Sequence, residues 1–166
     1  MILLYIEEEK RHVNIYTERA KNYTLPMRCN DYLNRLCEFY GSSLIGRKQA
    51  ACAFLHIRQK APIYIREGIL LFQSIAAASS QRIWINYWRV KRLVKECYQT
   101  RFVFTDHSEL LTDMEYRSAI MQMRRCLHYS YLLTIRMNQL SLENSAGEDY
   151  STMNQRIKNN DDILFA

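Results

Sequence analysis

The chain has 166 residues, of which 48% are hydrophobic and 24% are charged. This length suits one domain with a single core, and the composition argues against a disordered or membrane-spanning chain. The apolar start, Met1 to Ile6, runs directly into three glutamates, so it is too short for a signal peptide or a membrane span. We therefore expect a cytoplasmic protein.

The formal net charge of +6 is unevenly distributed along the chain. Residues 41–101 carry eleven lysines and arginines against two glutamates, whereas residues 140–166 carry five acids against two bases. A cationic field of this density concentrates polyanions at the surface, which makes nucleic acid the natural partner and anionic lipid the rival. The plainer alternative is that these cations only keep the fold in solution.

The five cysteines form no Cys-x-x-Cys pair, and their odd number argues against a disulfide framework. Cys52 and His56 lie four residues apart, and Cys126 and His128 lie two apart, but two unconnected pairs are a weak zinc signal. We predict no metal and no cofactor. We expect all five cysteines to be buried free thiols: Cys29, Cys37, Cys52, Cys97 and Cys126.

The first part of the chain combines a β-rich pattern with two helical ones. Residues 2–6 and 12–17 predict a hairpin around a charged turn. Apolar side chains recur at helical spacing over residues 29–40 and stop at Gly41, a residue favoured just past a helix end, which predicts a first helix. Residues 47–56 predict a second helix.

The rest of the domain is predicted to be mainly β-structure, closed by one helix. Residues 62–72 predict two strands around a turn at Gly68, followed by a loop over residues 73–81. Thr112 and Glu115 have the spacing of a capping box at the start of a helix. Strands are predicted at residues 82–90, 101–105 and 109–111, and the helix carries Tyr116, Ile120, Met123, Leu127 and Tyr131 at helical spacing.

From residue 140 onward the sequence loses its periodicity and becomes rich in Asn, Ser, Asp and Gln, which predicts a flexible acidic tail. We therefore predict an α+β fold with mainly antiparallel strands and hairpins and about three helices. The predicted organisation is a single domain over residues 1–139 and a tail over residues 140–166.

The most informative segment is residues 39–48, Phe-Tyr-Gly-Ser-Ser-Leu-Ile-Gly-Arg-Lys. The two glycines are spaced as in the phosphate-binding loop of nucleotide hydrolases, but Arg47 and Lys48 stand where that motif needs Lys and a hydroxyl residue, which argues against nucleotide hydrolysis. Cations in the first turn of a helix are disfavoured by about 0.3–1 kcal/mol each unless an anion binds there. With Ser42 and Ser43, they predict a phosphate site, unless both cations simply point into solvent.

This segment resembles the Phe-Phe/Tyr-Gly-Ser-Ser-x-x-Gly-Arg-Lys signature of the competence transcription factor ComK family. The resemblance continues in the same order along the chain, with Lys-Ala-Pro-Ile at 60–63, Leu-Phe-Gln-Ser at 71–74 and Trp-Ile-Asn at 84–86. It extends to the spacing of Ser118, Gln122 and Arg125, and so covers roughly residues 29–131. Several separate motifs in one order are far more specific than any one of them.

The resemblance implies a non-enzymatic transcription factor that binds double-stranded DNA at paired AT-rich boxes, largely through the minor groove. It also implies homodimers or higher oligomers on DNA, and regulated proteolysis through an adaptor of the MecA type. A minor groove narrowed by A·T tracts attracts inserted arginine side chains, which gives the DNA preference a physical basis.

On the basis of this resemblance, we predict that Arg47 and Lys48 contact DNA and that Ser42 and Ser43 bind phosphate groups. Further candidates follow from charge and position along the chain: Lys60, Arg82, Lys91, Arg92, Arg124 and Arg125.

Two other classes of function are open. A shortened ComK-like regulatory protein would act by pairing with another protein chain and would itself bind DNA weakly. A nuclease would need clustered carboxylates to hold metal, and the scattered acids of this chain join no such motif.

Trp84, Tyr87 and Trp88 could stack on single-stranded bases, but aromatic residues on a strand more often form core, so we predict that they are buried.

Overall fold

The computed structural model describes the backbone of residues 2–20, 22–74 and 82–164, and the side chains of these residues except 20 and 143–164. It confirms the predicted α+β class with mainly antiparallel strands. Two compact units are present, Met1–Tyr129 and Ser130–Ala166. In chain order the elements are β1 (Leu3–Glu9), β2 (His12–Thr17), β3 (Asn22–Leu25), α1 (Cys29–Phe39), α2 (Leu44–Leu55), β4 (Ile63–Arg66), β5 (Ile69–Ser74), β6 (Arg82–Asn86), β7 (Val90–Lys95), β8 (Thr100–Phe104), β9 (Glu109–Thr112) and α3 (Tyr116–Leu164).

The strands form two antiparallel sheets. The larger sheet has six strands in the order β3-β2-β1-β6-β5-β4, and the smaller sheet has three in the order β7-β8-β9. Both predicted hairpins are present, β1 with β2 and β4 with β5, the second around Gly68 at φ +79°. β1 and β6 pair at the centre of the larger sheet, which brings the start of the chain beside residues 82–85.

One face of the larger sheet packs against α1 and α2. Alternate residues point to this face, among them Ile6 and Trp84, which are cross-strand partners. The helices supply Cys29, Leu33 and Leu44 to the same core. Burial of this apolar face accounts for the two helices, since isolated helices of 11 and 12 residues are marginal in water.

The opposite face of the larger sheet packs against the smaller sheet through aromatic rings. The ring of Tyr5 stacks on Tyr16 with centroids 4.2 Å apart and lies 5.6 Å from the ring of Phe104. The rings of Phe72 and Phe102 lie 5.9 Å apart. The larger sheet is therefore buried on both faces, by helices on one side and by strands on the other.

A buried asparagine ties three segments together. The side-chain nitrogen of Asn86 donates to the carbonyl oxygens of Leu3 (2.9 Å) and Gly68 (3.0 Å), and its side-chain oxygen accepts from the backbone N–H of Leu70 (3.3 Å). These bonds satisfy backbone groups near the ends of β1 and β5 that lie away from water.

The predicted strand over residues 82–90 is wrong in its extent. β6 ends at Asn86, a 3₁₀ turn follows over Tyr87–Arg89, and β7 then begins in the other sheet. Trp84 is buried as predicted and Tyr87 is half-buried, but Trp88 is 45% exposed, so its prediction as core is wrong. Trp88 lies in this turn, outside the larger sheet, so the sheet does not shield it from solvent.

The predicted capping box is also wrong. Thr112 belongs to β9, and α3 begins four residues later at Tyr116. The Thr112 hydroxyl donates to the Thr100 carbonyl oxygen (3.3 Å) and accepts from the N–H of Met114 (3.4 Å), so it closes the end of the smaller sheet. The buried face of α3 consists of Ala119, Gln122, Cys126 and Tyr129, whereas Leu127 and Tyr131 from the predicted stripe are exposed.

The cysteines are free, as predicted, but they are not all buried. Cys29, Cys37 and Cys126 are buried, Cys52 is half-buried, and Cys97 is exposed in the turn between β7 and β8. Burial raises the pKa of the Cys126 thiol.

Of the predicted loop 73–81, Gln73 and Ser74 belong to β5, and residues 75–81 lie outside the described part of the chain. The backbone of residues 140–164, predicted as a tail, is helical and belongs to α3. The predicted flexibility of that segment and the boundary after residue 139 stay predictions.

We predict that Asn86→Ala lowers the free energy of unfolding by about 2–3 kcal/mol, because buried backbone partners are left without hydrogen bonds. Urea denaturation followed by circular dichroism measures the loss. Asn138→Ala, a change of the same chemistry at an exposed position of α3, is the control and is expected to cost less than about 0.5 kcal/mol. Equal losses in the two variants would contradict the assigned role of Asn86.

Candidate nucleic-acid interface

The turn between α1 and α2 contains the Gly-Ser-Ser segment singled out in the sequence. Gly41 adopts φ +75°, a left-handed conformation that favours glycine, and it and Ser43 are exposed. Ser43 caps α2, since its hydroxyl oxygen accepts from the N–H of Gly46 (3.0 Å). The side-chain oxygen of Asn34 accepts from the N–H of Leu44 (3.0 Å). Two of the amides expected to meet a phosphate are therefore already bonded within the protein.

Arg47 lies in the first turn of α2 and is half-buried. Its guanidinium donates to the carbonyl oxygen of Tyr40 (2.9 Å), in the turn, and to the carbonyl oxygen of Tyr64 in β4. Burial raises the pKa of the Tyr129 phenol, and the nearby positive charge of Arg47 opposes this rise. The planar fork of arginine thus fixes the turn to the edge strand of the larger sheet.

Lys48 and Arg82 come together although 33 residues separate them in the sequence. The Lys48 ammonium lies over the indole ring of Trp84, 5.6 Å from its centroid, and Arg82 stands two residues before Trp84 on β6. Burial raises the pKa of the Cys29 thiol to about 12, the Glu8 carboxylate adds to the rise, and the charges of Arg82 and Lys48 oppose it. Both cations therefore lie close to the start of α1.

An open cavity of about 760 Å³ adjoins this point, and we call it the basic cavity. Its cations come from the β1–β2 turn, from the residue before α1 and from β6. One acid is already engaged, since a Glu8 carboxylate oxygen accepts from the N–H of Cys29 at 3.4 Å. The lining residues are Glu8, Glu9, Lys10, Arg11, Arg28, Asn30 and Arg82.

The four cations of the basic cavity make no ion pair with the side chains that the structure describes. Among the described side chains of residues 2–19, 22–74 and 82–142, no carboxylate oxygen lies within 4.0 Å of any of them. The first amides of α1 add the positive end of a helix dipole to the same region. Such a site attracts phosphate or another polyanion.

Sequence reasoning found Arg82 but missed Lys10, Arg11 and Arg28. The first two stand in a charged run that indicates only a turn, and Arg28 is an isolated cation before a helix. Pairing of β1 with β6 brings Lys10 and Arg11 beside Arg82, and the bond from the Cys29 N–H to Glu8 holds Arg28 in the same region, a juxtaposition that no local spacing encodes.

The other predicted contact residues do not join this cavity. Lys60 is exposed in the loop before β4, with φ +56°. Lys91 and Arg92 are exposed on β7, in the sheet that covers the opposite face of the larger sheet. On α3, Arg124 is exposed and Arg125 is half-buried. The ten predicted residues thus occupy several surfaces, among which Lys48 and Arg82 lie together.

Two cations of the basic segment are compensated by acids. Arg101 lies 3.0 Å from a Glu96 carboxylate oxygen and 2.7 Å from one of Glu109, and these contacts raise its pKa. Arg89 lies 3.8 Å from Glu18. The count of eleven bases in residues 41–101 therefore overstates the charge available to a ligand.

In the described residues, His, Cys, Asp and Glu side chains do not gather in groups of three or more that could hold a metal ion. In the same part of the chain, no helix is both apolar enough and long enough to cross a membrane.

We predict that Arg47→Ala lowers the free energy of unfolding by about 1.5–3 kcal/mol, because two carbonyl oxygens lose a charged donor. Lys48→Ala should cost about 0.5–1 kcal/mol, the range of a partly exposed cation–π contact. Chemical denaturation of both variants measures the difference. Arg47→Lys keeps the charge but not the fork, so it should resemble Arg47→Ala; wild-type stability in Arg47→Lys would refute the structural role of the fork.

The comparisons with known proteins agree with the resemblance seen in the sequence. The family model described as ComK protein matches residues 1–138. No curated protein and no solved structure matches the chain. The family match covers more than half of the chain and includes β1 to β9, α1, α2 and the start of α3. The chain therefore belongs to the ComK family of competence transcription regulators.

Proposed function

We propose that the protein binds AT-rich duplex DNA as a transcription regulator, largely through phosphate and minor-groove contacts. The observation that carries the proposal is the basic cavity, where Lys10, Arg11, Arg28 and Arg82 converge without ion pairs in the described residues. Lys48 extends the same cationic region over Trp84. Family membership supports the assignment to transcription.

Each cation supplies a particular part of the contact. Uncompensated arginines and lysines displace the counterions condensed on DNA, which is the main source of sequence-independent affinity. A narrow A·T minor groove has enhanced negative potential and draws in arginine side chains, so Arg28 and Arg82 are the proposed groove residues and Lys10 and Lys48 the phosphate residues. Arg47 is proposed to support DNA binding indirectly, because its hydrogen bonds fix the turn between α1 and α2.

The remaining predicted residues form secondary contacts in this proposal. Ser42 and Ser43 have exposed or half-exposed hydroxyl groups beside the turn and can donate to phosphate oxygens. Lys91 and Arg92 form a second cationic surface on β7, which a second duplex segment or a bent duplex would meet. Lys60, Arg124 and Arg125 are proposed as long-range contributors to the positive field.

A transcription regulator acts where the chromosome is, so we place the protein in the cytoplasm in association with the nucleoid. We propose a homodimer or a higher oligomer on DNA. Exposed apolar side chains of α3 support pairing, among them Tyr131, Ile135 and Leu142. Recognition by a proteolytic adaptor of the MecA type stays a prediction from the family.

The second candidate function is a regulatory protein that acts mainly by pairing with another chain. The same exposed residues of α3 favour it. The two candidates differ in how they respond to loss of charge in the basic cavity: DNA affinity depends on it in the first, whereas protein association is insensitive to it in the second.

We predict that affinity for an AT-rich duplex falls roughly 10³- to 10⁵-fold between 50 and 200 mM salt, as expected when six to ten phosphates are contacted. Lys10→Ala and Lys48→Ala, at the proposed phosphate residues, should each reduce the slope of log affinity against log salt by about 1. Fluorescence anisotropy over a salt series measures both quantities. Arg136→Ala removes the same charge from an exposed position of α3 and is the control, with the wild-type slope expected.

A salt-independent wild-type affinity would end the DNA-binding proposal. Equal slope changes in Arg136→Ala and in the two lysine variants would show a response to net charge rather than to this site.

We predict that replacing A·T pairs of the duplex by inosine·cytosine pairs leaves affinity nearly unchanged, while replacing them by G·C lowers it by about 1–3 kcal/mol per pair. Inosine lacks the guanine N2 amino group, so its minor groove matches that of A·T while its major groove matches that of G·C. Competition binding with the three duplexes measures the difference. Equal weakening by inosine·cytosine and by G·C would assign recognition to the major groove instead.

A further inference from the structure

Two large apolar side chains project into solvent at the turn between α1 and α2. Phe39, the last residue of α1, is 80% exposed, and Ile45, in the first turn of α2, is 68% exposed. Neither belongs to the core, since α1 buries Cys29, Leu33 and Cys37 and α2 buries Leu44 and Ala51. The fold therefore does not require apolar residues at these positions.

The turn between α1 and α2, which carries Phe39 and Ile45, is fixed by several hydrogen bonds. The N–H groups of Tyr40 and Ser42 both donate to the carbonyl oxygen of Cys37 (3.0 and 3.1 Å), and that of Gly41 donates to Glu38 (2.9 Å). Arg47 clamps the carbonyl oxygen of Tyr40 from the other side. The apolar tip is thus presented on a preorganised support and loses little conformational entropy on binding.

The surroundings of the tip are cationic and hydroxyl-bearing. Arg47, which binds the Tyr40 carbonyl oxygen, and Lys48 stand near the start of α2, and residues 39–48 contain no aspartate or glutamate. The ring of Tyr40 packs edge-on against Phe39 with centroids 5.0 Å apart, and the Arg66 guanidinium lies over the Tyr40 ring at 5.7 Å. Glu38 precedes Phe39, and its carboxylate accepts from the side chain of Asn34 (2.7 Å), one turn back along α1.

We propose that Phe39, with Ile45 across the same turn, is a wedge that enters between two base pairs of duplex DNA from the minor groove and kinks the duplex. This inference rests on the proposed DNA-binding function and deepens it. Apolar wedges on minor-groove proteins unstack a base step while neighbouring cations and hydroxyls hold the backbone. Pyrimidine–purine steps such as TA unstack most easily, so the wedge supplies a reason for an AT preference beyond groove width.

A protein partner fits this tip less well. The two side chains together expose roughly 200–300 Å². A stable protein interface needs about 800 Å² on each partner. Hydroxyl groups and cations around a small apolar tip match the sugar-phosphate backbone on either side of an opened base step.

The test compares Phe39→Ala with Tyr98→Ala on a duplex with a single central TA step. Tyr98 is 90% exposed in the turn between β7 and β8, so its replacement removes an equally exposed aromatic side chain from another surface. A 2-aminopurine at the TA step reports unstacking by its fluorescence. Energy transfer between dyes at the duplex ends reports the bend, which for wedge-inserting proteins is roughly 20–90°.

With wild-type protein and with Tyr98→Ala we expect 2-aminopurine fluorescence to rise and the duplex to bend. Phe39→Ala should abolish both signals and lower affinity roughly tenfold, the order of one lost aromatic–base stack. The salt dependence of its residual binding should equal that of wild type, because the wedge carries no charge. Phe39→Leu should keep part of both signals, since an apolar wedge need not be aromatic.

Wild-type bending and fluorescence in Phe39→Ala would overturn the wedge while leaving the proposed DNA binding intact. Absence of salt-dependent binding by the wild type would instead overturn the proposed function itself. Sedimentation without DNA measures self-association of the same variants. Loss of self-association in Phe39→Ala but not in Tyr98→Ala would assign Phe39 to a protein contact and overturn the wedge.

Discussion

The guanidinium of Arg47 joins three parts of the molecule that the chain itself leaves apart. It binds the carbonyl oxygen of Tyr40 after α1 and that of Tyr64 in β4, from a position at the start of α2. These bonds therefore connect the turn between the helices, the first turn of α2 and the edge of the larger sheet. The placement of Lys48 over Trp84 and the projection of Phe39 and Ile45 depend on this arrangement.

The distribution of charge in the folded protein differs from its distribution in the sequence. Arg89 and Arg101 belong to the most basic stretch of the chain, yet acids lie beside both. Lys10 and Arg11 follow a run of glutamates, yet they line a cavity with Arg28 and Arg82 and pair with none of those acids within the described residues. Local net charge therefore suggested the proposed ligand class but not the proposed surface, because contact between side chains decides which cations remain available.

Much of the fold was accessible from local patterns. Both hairpins, α1, α2 and the helical character of the chain after Tyr116 follow from periodicity, β-propensity and the glycines at 41 and 68. The errors fall where tertiary contacts compete with local preference. Asn86 bonds to Leu3, Gly68 and Leu70, and the chain leaves the larger sheet directly after it, which divides what looks like one strand over residues 82–90. Thr112 has the spacing of a helix cap, but its hydroxyl closes the smaller sheet.

The sequence by itself determined the α+β class, the family and the polyanionic nature of the expected ligand, because these follow from residue periodicity, ordered motifs and charge. Tertiary structure alone decided which cations share a surface, since β1 pairs with β6 across some 75 residues and brings Arg82 beside the β1–β2 turn. It also decided the role of Arg47, which composition presents as a free cation and the fold engages with two carbonyl oxygens. The physical reason is the same in both cases: side-chain charges act over a few ångströms, and only the packed chain determines which groups come that close.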